Sequence, residues 1–380
     1  MTSISIPAMP NAHSHAFQIG LRGAAERPVP AAMRHDDFWS WRNEMFALAD
    51  HLDPTSIREI STRAFSDMRA AGYGSVGEFH YVHHRPDGSP YDDPNELAIA
   101  VAESAVSAGI EIVMLPAAYN RNGWDGADRP PESGQQRFCD HELDVFLTRV
   151  DGLREWAVDK IGVSVGVAAH SVRAVPAPWL EGIAAYAADH ELPLHIHASE
   201  QRRELAECEA EHGCSPIELL DRTGFLSPRT GVVHAIHVSD ADLSLLASSG
   251  ATVVGCPTTE GSLGDGFPPS ARYRELGIPV AVGSDSQVRI DPFEECREYE
   301  TLARRASESR FGPLEESGDL WREMVENGRR ILGLDLESPP MIELDLQAPD
   351  LLGVAEKDLE LAVATCASAS VVASPAPPPE

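Results

Sequence analysis

Lysine is almost missing from this chain: of 380 residues only Lys160 and Lys357 are lysine, and Arg supplies nearly all of the 30 basic residues. Against them stand 60 Asp and Glu, a formal net charge of −30. So acidic a chain lacks the basic face that nucleic acid or an anionic membrane needs. The expected partner is therefore a small molecule; a homodimer stays open, and adaptation to salt is one account of the charge. Aromatics are scarce at 6%, so the core must be mainly aliphatic. No apolar run approaches the roughly 20 residues of a membrane-spanning helix. The start, MTSISIPAMPNAHSHAF, has neither the charged nor the apolar stretch of a secretory signal. The six cysteines (139, 208, 214, 256, 296, 366) form no CxxC pair, which argues against a cysteine zinc cage or a disulfide framework. Reduced, mostly buried thiols in a cytoplasmic protein are the expectation.

What is present is alternation. Short β-branched runs near 6–13, 75–81, 111–118, 161–169, 193–199, 230–236, 251–256 and 279–285 read as strands. Helical patterns lie between them at 54–71, 94–108, 140–158, 176–190, 200–221, 239–249 and 269–277, and a last one at 292–306 follows the eighth strand. Eight strand-then-helix units predict an α/β fold, a (β/α)8 TIM-type barrel spanning 1–334, with a doubly wound open sheet as the alternative. Segments 14–53 and 119–139 are long insertions after strands, where barrel enzymes keep substrate contacts. From about 335 the pattern decays, and the low-complexity end, 366–380, reads as a disordered tail.

The chemistry-bearing residues gather at one end of the strands. His13 and His15 close the first strand two residues apart, so the strand period points both imidazoles to one face. LHIHASE ends the fifth strand with His197 and Glu200, VVHAIH the sixth with His234 and His237, and VAVGSDS the eighth with Asp285. Core histidines would not choose the carboxyl end of strand after strand, so the pattern points to a metal site at the barrel mouth.

This arrangement resembles the amidohydrolase superfamily. The resemblance implies one divalent metal ion, Zn2+ or alternatively Fe2+, held by His13, His15, His197 and Asp285, with His234 contacting the substrate. Binuclear members use a strand-four lysine, and the fourth strand here, IGVSVGVAAH, has none, so one ion is expected. NAHSHAFQ, FWSWR, EFHYVHH, AAHSVRAV, HIHASEQ, CPTTEGSLGDG and GSDSQV together are similar to the formimidoylglutamate deiminases of that superfamily over about 8–306. That implies hydrolytic release of ammonia from a linear amidine in histidine degradation. It implies Gln18, Arg42, Tyr81, His170 and Arg173 as substrate-binding residues, and Glu200, His234 and Asp285 as catalytic ones. Arg42 and Arg173 suit the carboxylates of a glutamate moiety. Glu200 can shuttle a proton to the departing nitrogen.

Other conspicuous residues read as structural. His80, His83 and His84 are taken as supporting loop structure, His237 as a neighbour of His234, and His51, His141, His190 and His212 as solvated. Trp39 and Trp41 are expected to pack the first long loop, while Thr258, Thr259 and Glu260 are equally compatible with loop hydrogen bonding and with catalysis. Family members carry about 40 residues ahead of the first barrel strand that build a β-sandwich; here His13 stands near the start, and 335–365 is expected to hold at most a remnant of it. AAHS for APHS and EGSLGDG for EANLGDG are further departures. The rival readings are a deaminase of a cyclic base, guanine or cytosine type, and a non-catalytic barrel.

Overall fold

The computed structural model describes residues 2–27, 38–310, 312–313 and 319–373. The expectation for Trp39 and the end of the expected tail, 374–380, lie outside what is described.

The alternating pattern resolves into a parallel barrel. Its strands are β2 (Met9–Ser14), β3 (Tyr73–His80), β4 (Glu111–Ala118), β6 (Val167–Ser171), β7 (Leu194–Ala198), β8 (Thr230–His234), β9 (Thr252–Gly255) and β10 (Val280–Val282), paired in that order. A short β5 (Val163–Val165) pairs with the lower half of β4 while β6 pairs with its upper half, so the expected fourth strand is one path interrupted at Gly166. A Cβ there would lie 2.7 Å from the Pro193 carbonyl oxygen, so only glycine fits the interruption. The ring closes where Ser14 bridges Asp285 in parallel, with Asp285 N–H donating to His13 O and His15 N–H to Asp285 O, both at 3.0 Å.

The helices follow local signals. Pro54–Ala71 starts on a capping box, in which Asp53 accepts the N–H groups of Thr55 and Ser56, and it stops at Gly72, whose φ of 108° is left-handed. Its face of Ile57, Ala64, Phe65 and Met68 is buried. The expected helix 200–221 is two, Arg202–His212 and Pro216–Arg222, broken by the left-handed Gly213. Helix Leu320–Ile331 closes the barrel floor: Asn327 Nδ2 donates to Val280 O at 2.9 Å, and Gly328 lies where a Cβ would meet Pro10 at 2.5 Å.

The first strand departs from expectation. Residues 6–13 do not form one strand: β1 (Ser3–Pro7) leaves the barrel and pairs antiparallel with β11 (Met341–Asp345). The C-terminal strand anticipated within 335–365 thus has an N-terminal partner. The start of the expected tail is also folded, with a turn at Ala369–Val371 and a bridge from Leu344 to Val372. Val371 is buried there, a contact invisible in a low-complexity composition.

Candidate active site

At the carboxyl end of the barrel, donor atoms of His13, His15, His197 and Asp285 lie within 4.8 Å of one another, all buried. His13 Nε2 is 3.0 Å from His197 Nε2 and 3.4 Å from Asp285 Oδ1, which is 3.3 Å from His15 Nε2. Backbone carbonyls orient two of the rings: His15 Nδ1 donates to Phe79 O and His197 Nδ1 to His170 O, each at 2.8 Å. Those bonds place the lone pairs on the inward Nε2 atoms. Burial, reinforced by neighbouring imidazoles, holds His13 and His197 well below the ordinary histidine range; burial also lowers His15, with Asp285 opposing. Neutral imidazole lone pairs 3.0 Å apart beside a carboxylate repel one another, and a divalent cation removes that repulsion. The donor set therefore fits a divalent metal ion.

The backbone around this point is strained. His234 (φ 71°), Ala235 (51°), Asp285 (46°) and Gln287 (62°) are left-handed without being glycine. Hydrogen bonds hold two of these turns: Ala235 N–H donates to Ala198 O, and Gln287 Nε2 donates to Asp285 O at 2.8 Å and to Ser14 Oγ at 2.9 Å. Beneath the HxH pair, Glu78 accepts Ser14 Oγ–H at 2.6 Å and Ala16 N–H at 2.7 Å. Burial pushes Glu78 up to about 8 against those two bonds.

His234 faces two acidic compartments. Its Nδ1 is 3.2 Å from Glu260 Oε1, while its Nε2 is 3.7 Å from Glu200 Oε1 and 3.8 Å from Asp285 Oδ2. Burial opposes a charged imidazole, but these three carboxylates outweigh it and lift His234 to about 10. Burial likewise raises Glu200, against the pull of His234.

One cleft, with about 710 Å³ of free space, is lined by every sequence-derived site residue except the fully buried His13. Gln18 Nε2 donates to the Tyr81 hydroxyl at 2.8 Å. Arg42 Nη2 donates to the Tyr119 hydroxyl at 3.1 Å and to Asn122 Oδ1 at 3.0 Å, with its guanidinium over the Phe46 ring. His170 lies against Ser171 Oγ at 3.2 Å, and burial followed by Arg173 lowers it well below the ordinary range.

Trp41, expected to pack the loop, lines this cleft. Glu260 departs from Thr258 and Thr259: the threonines bond Glu295, Ser284 and Ser286, whereas Glu260 holds His234. Glu204, absent from the sequence reading, accepts Glu200 N–H at 3.1 Å and lines the cleft; its place four residues on, one helical turn from Glu200, was the available signal. Glu78 carried no local signal, because its partners come from another strand. His83 and His84 are structural as expected, in a network with Arg149 and Asp140.

An amidohydrolase family model matches residues 4–333. The chain is 38% identical over 292 residues to a formimidoylglutamate deiminase of Pseudomonas aeruginosa, covering 77% of this chain but only 63% of that protein's length. It is 26% identical over 355 residues to a 5-methylthioadenosine/S-adenosylhomocysteine deaminase of Haloarcula marismortui, covering 91% and 74%. Among solved structures, an amidohydrolase from Brucella melitensis superposes with a TM-score of 0.87 at 32% identity, over 97% of this chain and 84% of that one. A zinc-bound adenosine deaminase from Xanthomonas campestris shares the fold at TM-score 0.77 and 21% identity, over 98% and 78%.

Proposed function

The chain belongs to the amidohydrolase family, and from that premise we propose that it hydrolyses N-formimidoyl-L-glutamate to N-formyl-L-glutamate and ammonia, a step of histidine degradation, with one Zn2+ (Fe2+ as the alternative) at the His13–His15–His197–Asp285 set. Its acidic chain and five buried, unpaired thiols suit a cytoplasmic enzyme. The observation that carries the reading is that Arg42 and Arg173 line the same cleft as the ligand set, beside Tyr81 and Gln18. Two guanidiniums in a protein of net charge −30 suit a small substrate with two carboxylates. The name of the Pseudomonas aeruginosa relative points the same way.

Bound there, the ion supplies Lewis-acid activation of water and of the amidine carbon. The residues of the chain do the rest. Arg42 and Arg173 anchor the carboxylates, and Tyr81 and Gln18 offer neutral hydrogen bonds to the amide-like portion. Asp285 accepts a proton from the attacking water. His234, held by Glu260 through Nδ1, donates from Nε2 to the substrate as negative charge develops. Glu200, 3.7 Å from that nitrogen, protonates the departing NH, so the carbon–nitrogen bond breaks as ammonia leaves.

A second reading, deamination of a purine-like base, draws on the aromatic wall of Trp41, Phe46 and Phe138 and on the adenosine-type deaminases among the relatives. Ammonia release from metal-loaded protein separates the two. Turnover of formimidoylglutamate with none of 5′-deoxyadenosine, guanine or cytosine is expected; the reverse pattern overturns the proposal.

A further inference from the structure

The geometry points to a second cation site, formed by His234, Cys256 and Glu260 and suited to a thiophilic divalent ion such as Zn2+ or Cd2+, on the side of His234 away from the four-residue ligand set. The three side chains each offer one donor, a nitrogen, a sulfur and a carboxylate oxygen, within 4.8 Å of one another, and all three are buried. That spacing needs only slight contraction to reach the roughly 2.0–2.3 Å bonds of a nitrogen, oxygen and sulfur zinc site. A thiolate in the set selects soft ions over Mg2+ or Ca2+.

The fold builds the cluster rigidly. Cys256 follows β9 and precedes helix Pro257–Leu263, and Glu260 lies one turn into that helix. Cys256 N–H donates to Glu260 Oε1 at 2.8 Å, and Glu260 N–H to Cys256 O at 2.9 Å. His234 reaches them from the end of β8. Two observations mark the place as unsatisfied. Glu260 Oε2 is buried, the residue being only 1% exposed, and has no hydrogen-bond partner among the described residues. The Cys256 thiol reaches Val254 O only at a long 4.0 Å. A buried carboxylate oxygen without a partner is costly, and a cation satisfies both atoms at once.

Such an ion takes the place of the hydrogen between His234 Nδ1 and Glu260. His234 then can no longer turn or carry charge at Nε2, so occupation of this site silences the enzyme while leaving the first ligand set intact. The binding half of this inference is independent of the substrate; the inhibitory half rests on the role given to His234 above.

The experiment is a Cd2+ titration of metal-depleted full-length protein, followed by cadmium-113 NMR and ultraviolet difference absorption. Two equivalents are expected: one resonance typical of nitrogen and oxygen ligands, and a weaker-binding one shifted by a single sulfur, with a thiolate-to-cadmium band. Cys256→Ser is expected to lose the second resonance, the band and the inhibition by excess Cd2+, while keeping the first equivalent and basal turnover. Cys366→Ser, which removes the exposed thiol, is expected to change none of these. A wild-type protein with one equivalent and no sulfur-shifted resonance overturns the site, whatever the folding of the variants. So does a sulfur-shifted signal that survives Cys256→Ser or vanishes in Cys366→Ser. A sulfur-shifted resonance that Cys256→Ser abolishes, in a protein that does not turn over formimidoylglutamate, would leave the site standing and overturn only the substrate and the inhibitory half.

Discussion

His234 is useful only as far as Glu260 holds it. The ring is left-handed at the backbone and reaches the cleft through Nε2 because Nδ1 is tied to Glu260 at 3.2 Å. Glu260→Gln keeps the shape but removes the charge, so turnover is expected to fall on the order of 10- to 100-fold, as when partners that orient active-site imidazoles are lost. Metal content measured by atomic emission should stay at the wild-type value. Unchanged kcat would mean that His234 is oriented by something else. His195 makes a different prediction, because it shares a face of its strand with His197 but lies two residues deeper, where its Nε2 is 3.5 Å from Ile331 O of the helix that closes the barrel floor. Its ring is buried over Gly231, and burial lowers its pKa to about 4 from 6.5. The folded state keeps it neutral while the unfolded chain takes up a proton below pH 6.5. The stability it contributes is therefore complete above that pH and is lost as pH falls toward 4, by up to about 3 kcal/mol. Denaturant midpoints of His195→Leu should thus fall less than those of the wild type between pH 7 and pH 4.5; parallel curves would exclude this titration.

Among the elements, the junction of β10 with β2 matters most to the site. Gly283 follows β10, and a Cβ there would stand 2.6 Å from His13 O and 2.8 Å from His13 N. The Gly283→Ala methyl must push the HxH segment off its seat. Both weaker metal retention on dialysis and a loss of about 1–3 kcal/mol in stability are expected, the ordinary cost of overpacking. An alanine variant with wild-type Tm and metal content would show that the barrel seam gives freely. This seam also shows where local reading stops. The placement of His13, His15, His197, His234 and Asp285 at strand ends was legible, because period-two strands and their turn signals are local. The break of the first strand after Pro7 was not. It depends on β11, more than 330 residues away, offering Ser3–Pro7 an antiparallel edge. The interruption at Gly166 was equally hidden, being set by the approach of Leu115 and Pro193.

For the whole molecule, charge is the dominant long-range quantity. Sixty acidic against 30 basic residues leave a field of repulsion that the surface ion pairs, such as Arg58–Glu103 and Arg222–Glu218, offset only locally. Screening shortens that repulsion, so Tm is expected to rise as KCl goes from about 0.05 M to about 1 M. A flat or falling Tm in a scanning calorimeter would assign the acidity no cost in stability. The aliphatic core anticipated from 6% aromatics surrounds the barrel, and five of the six thiols are buried within it.

By itself the sequence determined the barrel, the mouth-end grouping of histidines and acids, and the acidic surface. Each follows from local periodicity or from summed composition, and neither requires knowing what lies across the fold. Only the tertiary structure decided that Glu260 stands behind His234, that Glu78 lies under the HxH pair, that Trp41 lines the cleft, and that Cys256 shares a buried corner with two other donors. The reason is distance along the chain: Ser14 and Glu78 are 64 residues apart, His234 and Glu260 are 26 apart, and no residue period connects them.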